Sequence, residues 1–319
     1  MTDNRKISVR TLALWSGIIF AAFCWGTGCV ATRLAFEEGL GPLTVAALAT
    51  AIASVIALLT LFFRHFTSNV KPKENSLQFF SFASVMALTH FTGPFILFTL
   101  ALQYASAGFV SLIVALTPVS TALWAHFLIR NETIKKWQLV GLALAFFGVT
   151  CLLTVRTGGI GQSGQPVISL IYAGSGTIMF GFGSTYSRYR AGSYGPNRLA
   201  LIQVIISSLV LVPLMLIFEG LPKIYNLKLW YIISYIAVFD NIAAFAIFYI
   251  VVRYVPVSTA AVSGYFVPLF ALILGQIVLD EIVTKSLVIG GCFILGGVVV
   301  VERTNQQQIN PIPEHTYKS

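Results

Sequence analysis

Residues 102–148 read LQYASAGFVSLIVALTPVSTALWAHFLIRNETIKKWQLVGLALAFFG, and residues 252–297 read VRYVPVSTAAVSGYFVPLFALILGQIVLDEIVTKSLVIGGCFILGG. At an offset of 150, Leu102 meets Val252, Tyr104 meets Tyr254, Ser106 meets Pro256, Ala107 meets Val257 and Pro118 meets Pro268. After a single deletion the offset is 149, and Glu132, Gly141 and Gly148 meet Glu281, Gly290 and Gly297. Both stretches sit in apolar sequence too long for a soluble core. The chain reads as a duplicated membrane protein.

Composition points the same way. Of 319 residues, 57% are hydrophobic and 10% charged, with a mean hydropathy of +0.85, against about 25% charged in a soluble domain. Apolar runs of about 20 residues cross a hydrocarbon layer of about 30 Å when helical. Spans are predicted near 12–36, 43–63, 77–101, 106–129, 135–155, 168–188, 198–218, 229–252, 257–279 and 284–302. This is an all-α integral membrane fold of ten transmembrane helices, five per copy. The gap at 101–106 is interrupted only by Gln103, Tyr104 and Ser106, and the gap at 252–258 holds Pro256, which disfavours an unbroken helix.

Lysine and arginine concentrate in cytoplasmic loops. With the N-terminus inside, Arg5, Lys6, Arg10, Arg64, Lys71, Lys73, Arg130, Lys135, Lys136, Arg188, Arg190, Arg198, Arg253, Arg303 and Lys318 are inside. Arg33, Arg156, Lys223, Lys228 and Lys285 are outside, a 15 to 5 split of all twenty. Both termini are then cytoplasmic. Because each copy has an odd number of spans, the second enters from the opposite side, and the two form inverted repeats. The net charge of +9 is topological and does not point to nucleic acid.

Residues 1–11 form a cytoplasmic N-terminus, 12–155 the first repeat, 156–167 a glycine-rich linker, 168–303 the second repeat and 304–319 a disordered cytoplasmic tail. The first apolar run is too long for a signal peptide and lacks a clear small-x-small site, so it stays as helix one. Cys24, Cys29, Cys151 and Cys292 all fall in predicted spans as packed thiols. Nothing in their spacing suggests a disulfide framework or a metal site.

Family resemblance follows from the order of the weak motifs. Trp25, Gly26, Thr27, Pro42, Leu102, Tyr104, Ala107, Pro118, Glu132, Gly141 and Gly148 resemble an EamA domain, and Gly181, Pro196, Tyr254, Pro268, Glu281, Gly290 and Gly297 resemble a second. Together they are similar to the ten-helix, two-EamA group of the drug/metabolite transporter superfamily, from Leu12 to Arg303. One departure is that residues 43–63 lack the basic residue often found there in the family. The resemblance implies alternating access through a central cavity lined by the third helix of each half.

Intramembrane ionisable residues are default functional candidates. Of the three aspartates, Asp3, Asp240 and Asp280, only Asp240 lies deep in a span, and the 150 offset pairs it with His90. The resemblance places the two on opposite sides of the cavity, where Asp240 holds a substrate amine or a proton with His90 as partner. The plainer alternative is that they bond to each other or to neighbouring helices. Trp25, Thr27, Thr89, Phe95, Tyr186 and Tyr265 are further substrate-binding candidates, since aromatic walls grip apolar or cationic solutes. Tyr104, Glu132, Tyr254 and Glu281 read as packing, capping or gate residues. Arg33 and Arg188 correspond at an offset of 155 and either snorkel to headgroups or attract a substrate carboxylate.

The expected function is a secondary transporter exporting a small organic metabolite, an amino acid or a relative, across a bacterial inner membrane as a multi-pass protein. Another metabolite class is the alternative: a nucleotide-like solute, a cationic drug or an S-adenosylmethionine-like solute. An intramembrane enzyme is disfavoured because one deep aspartate, without HExxH or Gly-x-Ser-x-Gly, assembles no catalytic site. The expected partners are a small-molecule substrate and the lipid bilayer, with protons as a candidate coupling ion and no cofactor or metal. A monomer suffices for the pathway, and a homodimer is the other possibility.

Overall fold

The structure is a computed structural model that describes residues 2–67, 76–128, 135–153, 165–190, 196–222, 226–252 and 263–306. The helices are α1 Thr2–Glu37, α2 Pro42–Thr67, α3 Ser76–Met86, α4 Gly93–Tyr104, α5 Ala107–Val114, α6 Thr117–Leu128, α7 Lys136–Leu153, α8 Pro166–Arg190, α9 Pro196–Phe218, α10 Leu227–Tyr235, α11 Ala244–Val252, α12 Ser263–Leu279 and α13 Lys285–Gln306. Two π-helical segments join shorter pieces into longer rods. The segment π1, Ala87–Thr92, links α3 to α4, and π2, Ile236–Ala243, links α10 to α11. Among the described residues, eight helical stretches are long and apolar enough to cross a membrane, and Gly264–Leu279 and Lys285–Val301 are shorter apolar helices.

The doubtful gap at 101–106 is a real break. Ala105 and Ser106 are extended, and the Ser106 hydroxyl accepts the Phe109 N–H at 3.2 Å as an N-cap. Pro118 lies in the first turn of α6, where a missing N–H costs no helical hydrogen bond, whereas Pro94 lies inside the continuous Leu77–Tyr104 stretch. Pro94 directly follows π1, whose wider turn leaves the Gly93 N–H bonded to the Leu88 carbonyl. Residues 253–258 of the second gap, the 156–164 part of the linker, and Glu132 and Tyr254 lie outside the described residues. At the other end the helix continues through Thr304 to Gln306, three residues into the stretch expected to be tail. A helix that leaves the membrane keeps its backbone hydrogen bonds in water, so polarity alone does not end it.

Packing relates the two halves. Helix α7 lies against α13 and α2 against α9; α4 and α6 pack on α8, while α11 and α12 pack on α1. The α7–α13 crossing is closed by glycines on both sides. A Cβ on Gly141 would lie 2.6 Å from the Gly297 carbonyl oxygen, and one on Gly148 would lie 2.6 Å from that of Gly290. Since Gly141 and Gly148 correspond to Gly290 and Gly297, each glycine meets the counterpart of the other. The same exchange appears elsewhere. Gly26 of α1 lies against Phe270 of α12, and Gly181 of α8 against Ser120 of α6, with Ser120 and Phe270 separated by the offset of 150.

Backbone on backbone leaves no flexible side chain to give way. Replacing Gly148 by Leu is expected to destabilise the protein by at least the usual overpacking cost of about 1–3 kcal/mol. Replacing Gly174, whose added Cβ would meet nothing within 4 Å, by Ala should cost far less. Thermal unfolding of the two purified variants checks the contrast.

Candidate functional site

His90 lies in π1 and Asp240 in π2, so the two deep ionisable residues both fall on π-helical turns. Each is seated against a glycine of the opposite half. A Cβ on Gly183 of α8 would lie 2.6 Å from the His90 Cβ, and one on Gly28 of α1 would overlap the Asp240 carboxylate. Gly28 and Gly183 are themselves separated by the 155 that relates Arg33 to Arg188. The two seats are therefore equivalent in position, and they differ in what fills them.

The His90 seat is sealed. The side chain is 1% exposed, its Nε2 is 3.1 Å from the Ser184 hydroxyl, and its ring lies 4.1 Å from that of Phe180 and 6.1 Å, edge-on, from that of Phe245. The Asp240 seat is more open. Asp240 is half-buried, and among the described residues no group donates a hydrogen bond to its carboxylate. Close by, the hydroxyls of Thr27 and Tyr235 are bonded at 2.6 Å, and the Tyr235 ring stacks on Phe239 at 4.9 Å. Thr27 also bonds the Phe23 carbonyl at 2.8 Å. Tyr235 carries no sequence signal beyond its place one turn before Asp240.

The other candidates spread out from this pair. Trp25 packs edge-on to Phe245 and tilted on Phe248, both at 5.5 Å. Phe95 contacts Phe91 at 5.9 Å, and Thr89 bonds the Val85 carbonyl within its own helix. Tyr265 is half-buried against the large core cluster. Tyr186 lies near the end of α8, stacked on Phe82 at 5.6 Å. With Leu77, Gln78, Ser81 and Phe82 it lines a cleft of about 350 Å³ at the α3 start. Tyr104 stacks on Tyr172 at 5.9 Å. Arg188 belongs to α8, with its side chain outside the described residues.

Arg33 and Glu281 meet at the opposite end from that cleft. Arg33 Nε is 3.3 Å from Glu281 Oε1, and its Nη1 donates to the Leu102 and Ala105 carbonyls at 3.0 and 3.4 Å. Glu281 accepts the Ala107 N–H at 2.9 and 3.1 Å, capping α5. Burial raises the Glu281 carboxyl above its ordinary range, opposed by the Ala107 N–H and Arg33. Two contacts that the sequence did not suggest close the same end. Glu219, after α9, accepts the Leu43 and Thr44 N–H groups at 2.9 and 2.8 Å and so caps α2, and Lys228 is paired with Glu38. Each joins one half of the chain to the other.

Known proteins match this arrangement along its length. Residues 14–154 and 167–303 each match the EamA-like transporter family. A protein named "Uncharacterized transporter YoaV" in Bacillus subtilis is 22% identical over 285 residues, covering 88% of this chain and 94% of its own. The "Uncharacterized inner membrane transporter YedA" of Escherichia coli K12 is 25% identical over 281 residues, covering 86% of each. A crystal structure with 18% identity covers 93% of this chain and 99% of its own at a TM-score of 0.65, which supports the fold. The chain is a multi-pass integral membrane protein and belongs to the EamA-like transporter family.

Proposed function

We propose that this protein is a secondary transporter that exports a small organic metabolite, an amino acid or a relative, from the bacterial cytoplasm by alternating access. In this reading ten helices form two inverted repeats with both termini cytoplasmic. The observation that carries it is the unequal state of the two ends of the bundle. At one end Arg33–Glu281, Lys228–Glu38 and the Glu219 cap tie the halves together; at the other, α3 and α8 border a cleft. An alternating-access carrier has one end fastened between its halves at a time, and inverted halves supply the second state by exchanging roles.

Closing an end on an arginine is energetically demanding, which makes the fastening testable. Removing one partner of a buried pair leaves an uncompensated charge and costs about 3–5 kcal/mol. Glu281→Gln retains an acceptor for the Ala107 N–H but strands Arg33, so it should lower thermal stability by an amount in that range. Combining it with Arg33→Met should recover part of the loss. A double variant no more stable than Glu281→Gln would mean that the ion pair is not the source of the effect.

The function itself is tested by flux. Purified protein in proteoliposomes, offered a panel of labelled amino acids, amines and nucleosides with and without a pH gradient, is expected to carry at least one amine-bearing solute well above protein-free vesicles. Dependence on the pH gradient would identify protons as the coupling ion. Absence of flux for the whole panel would sink the reading.

A further inference from the structure

We infer that the substrate is recognised at Asp240 as a monocation, an amine without a free carboxylate. This rests on the transporter reading above and, within it, selects an amine relative over the amino acid itself. Arg33 is the one cation in the interior of the described spans, because Lys136, Arg198, Lys228 and Lys285 stand at helix ends. Arg33 is buried, ion-paired with Glu281 through Nε, and its Nη1 donates to two backbone carbonyls. Its charge is already matched by Glu281, so it is not a free cation for a substrate carboxylate.

The second cationic candidate is equally committed. His90 is sealed between Phe180, Phe245 and Ser184, so it does not form the other half of a zwitterion site. That leaves Asp240, half-buried beside Gly28, with no donor among the described residues. A carboxylate in a spanning segment is costly unless an opposite charge or a proton neutralises it. Its surroundings suit an ammonium group. The Thr27 hydroxyl, next to Gly28 on α1, is already bonded to the Phe23 carbonyl and to Tyr235. The Tyr235 and Phe239 rings stack on each other in the preceding turn, and aromatic rings attract cations that reach their faces. Among the described residues, one unmatched negative charge, with the interior cation already paired elsewhere, calls for one positive charge on the ligand.

Gly28 fixes the geometry. A methyl group there would overlap the carboxylate, so Gly28 is a positioning residue that lets α1 approach Asp240.

The test compares matched pairs that share a side chain and differ in the carboxylate: phenethylamine with phenylalanine, tyramine with tyrosine, and isoamylamine with leucine. Binding to the purified full-length protein in detergent is measured by isothermal titration for wild type, Asp240→Asn, Asp240→Glu and Gly28→Ala. At least one amine is expected to bind ten times or more tighter than its parent. Asp240→Asn should erase that preference while Asp240→Glu retains part of it, and Gly28→Ala should weaken the amine without changing the rank order. Wild-type preference is read without any variant, so a variant that fails to fold does not decide the outcome. Tighter binding of the parent amino acids, or an amine affinity unchanged by Asp240→Asn in a folded variant, would overturn the assignment. So would failure of every amine to bind, which would mean that a proton alone neutralises Asp240. Proteoliposome flux of amino acids without an amine preference would leave the transporter reading standing and remove this one.

Discussion

An ionised side chain inside a hydrocarbon layer must be matched by another charge, by directed hydrogen bonds or by a proton. Arg33 meets that demand with Glu281 and the carbonyls of Leu102 and Ala105, and in doing so it dictates where the α4–α5 break lies. Carbonyls at the end of α4 have no helical partner, so they are available to a guanidinium. Glu281 in turn needs donors for its second oxygen and finds the first free N–H of α5. One charge thus organises a helix end, a helix start and a loop from the other half of the chain. Asp240 is the exception: the same demand applies to it, and the described residues leave it unmet.

Close helix approach is the second condition, and it follows from the loss of the hydrophobic driving force between helices once the surroundings are lipid. Association then relies on packing and on small residues that bring backbones together. The α7–α13 crossing places Gly141 and Gly148 on the carbonyls of Gly297 and Gly290. Gly28 and Gly183 do something different with the same absence of a side chain. They make room for a polar group projecting from the opposite half, a carboxylate in one case and an imidazole in the other.

Much of this was legible in the residues themselves. Span lengths followed from apolar runs, and the offsets of 150, 149 and 155 led directly to the pairing of His90 with Asp240 and to the correspondence of Arg33 with Arg188. The role of Glu281 is half legible: its place at a helix end suggests packing or capping and then gating, but Arg33 lies too far away in sequence to be named as its partner. The π-helical turns had no signature. Pro94 accompanies π1, while π2 contains no proline, so composition gives no common cause. Glu219 and Tyr235 were missed for a simpler reason. A glutamate after an apolar run looks like a solvated helix end, and a tyrosine in a span looks like one more aromatic among many. Only the approach of a second helix gives either a task.

The pair formed by Lys228 and Glu38 has a consequence of another kind. Carried across the duplication by 150 and 155, these positions become Gln78 and Ser193, which bear no charge. This tie therefore exists at one end of the bundle only. Exposed as it is, with Lys228 54% and Glu38 26% accessible, it is worth about 0–1 kcal/mol, up to about a fivefold ratio of populations. A carrier with such a bias dwells longer with that end shut, so its apparent affinity differs between the two faces. The equilibrium distribution of the solute is untouched, because an energy difference between two states of the empty carrier cancels around a complete cycle. Direction is left to the gradients, and the two copies of the repeat are free to diverge in charge without reversing the transport.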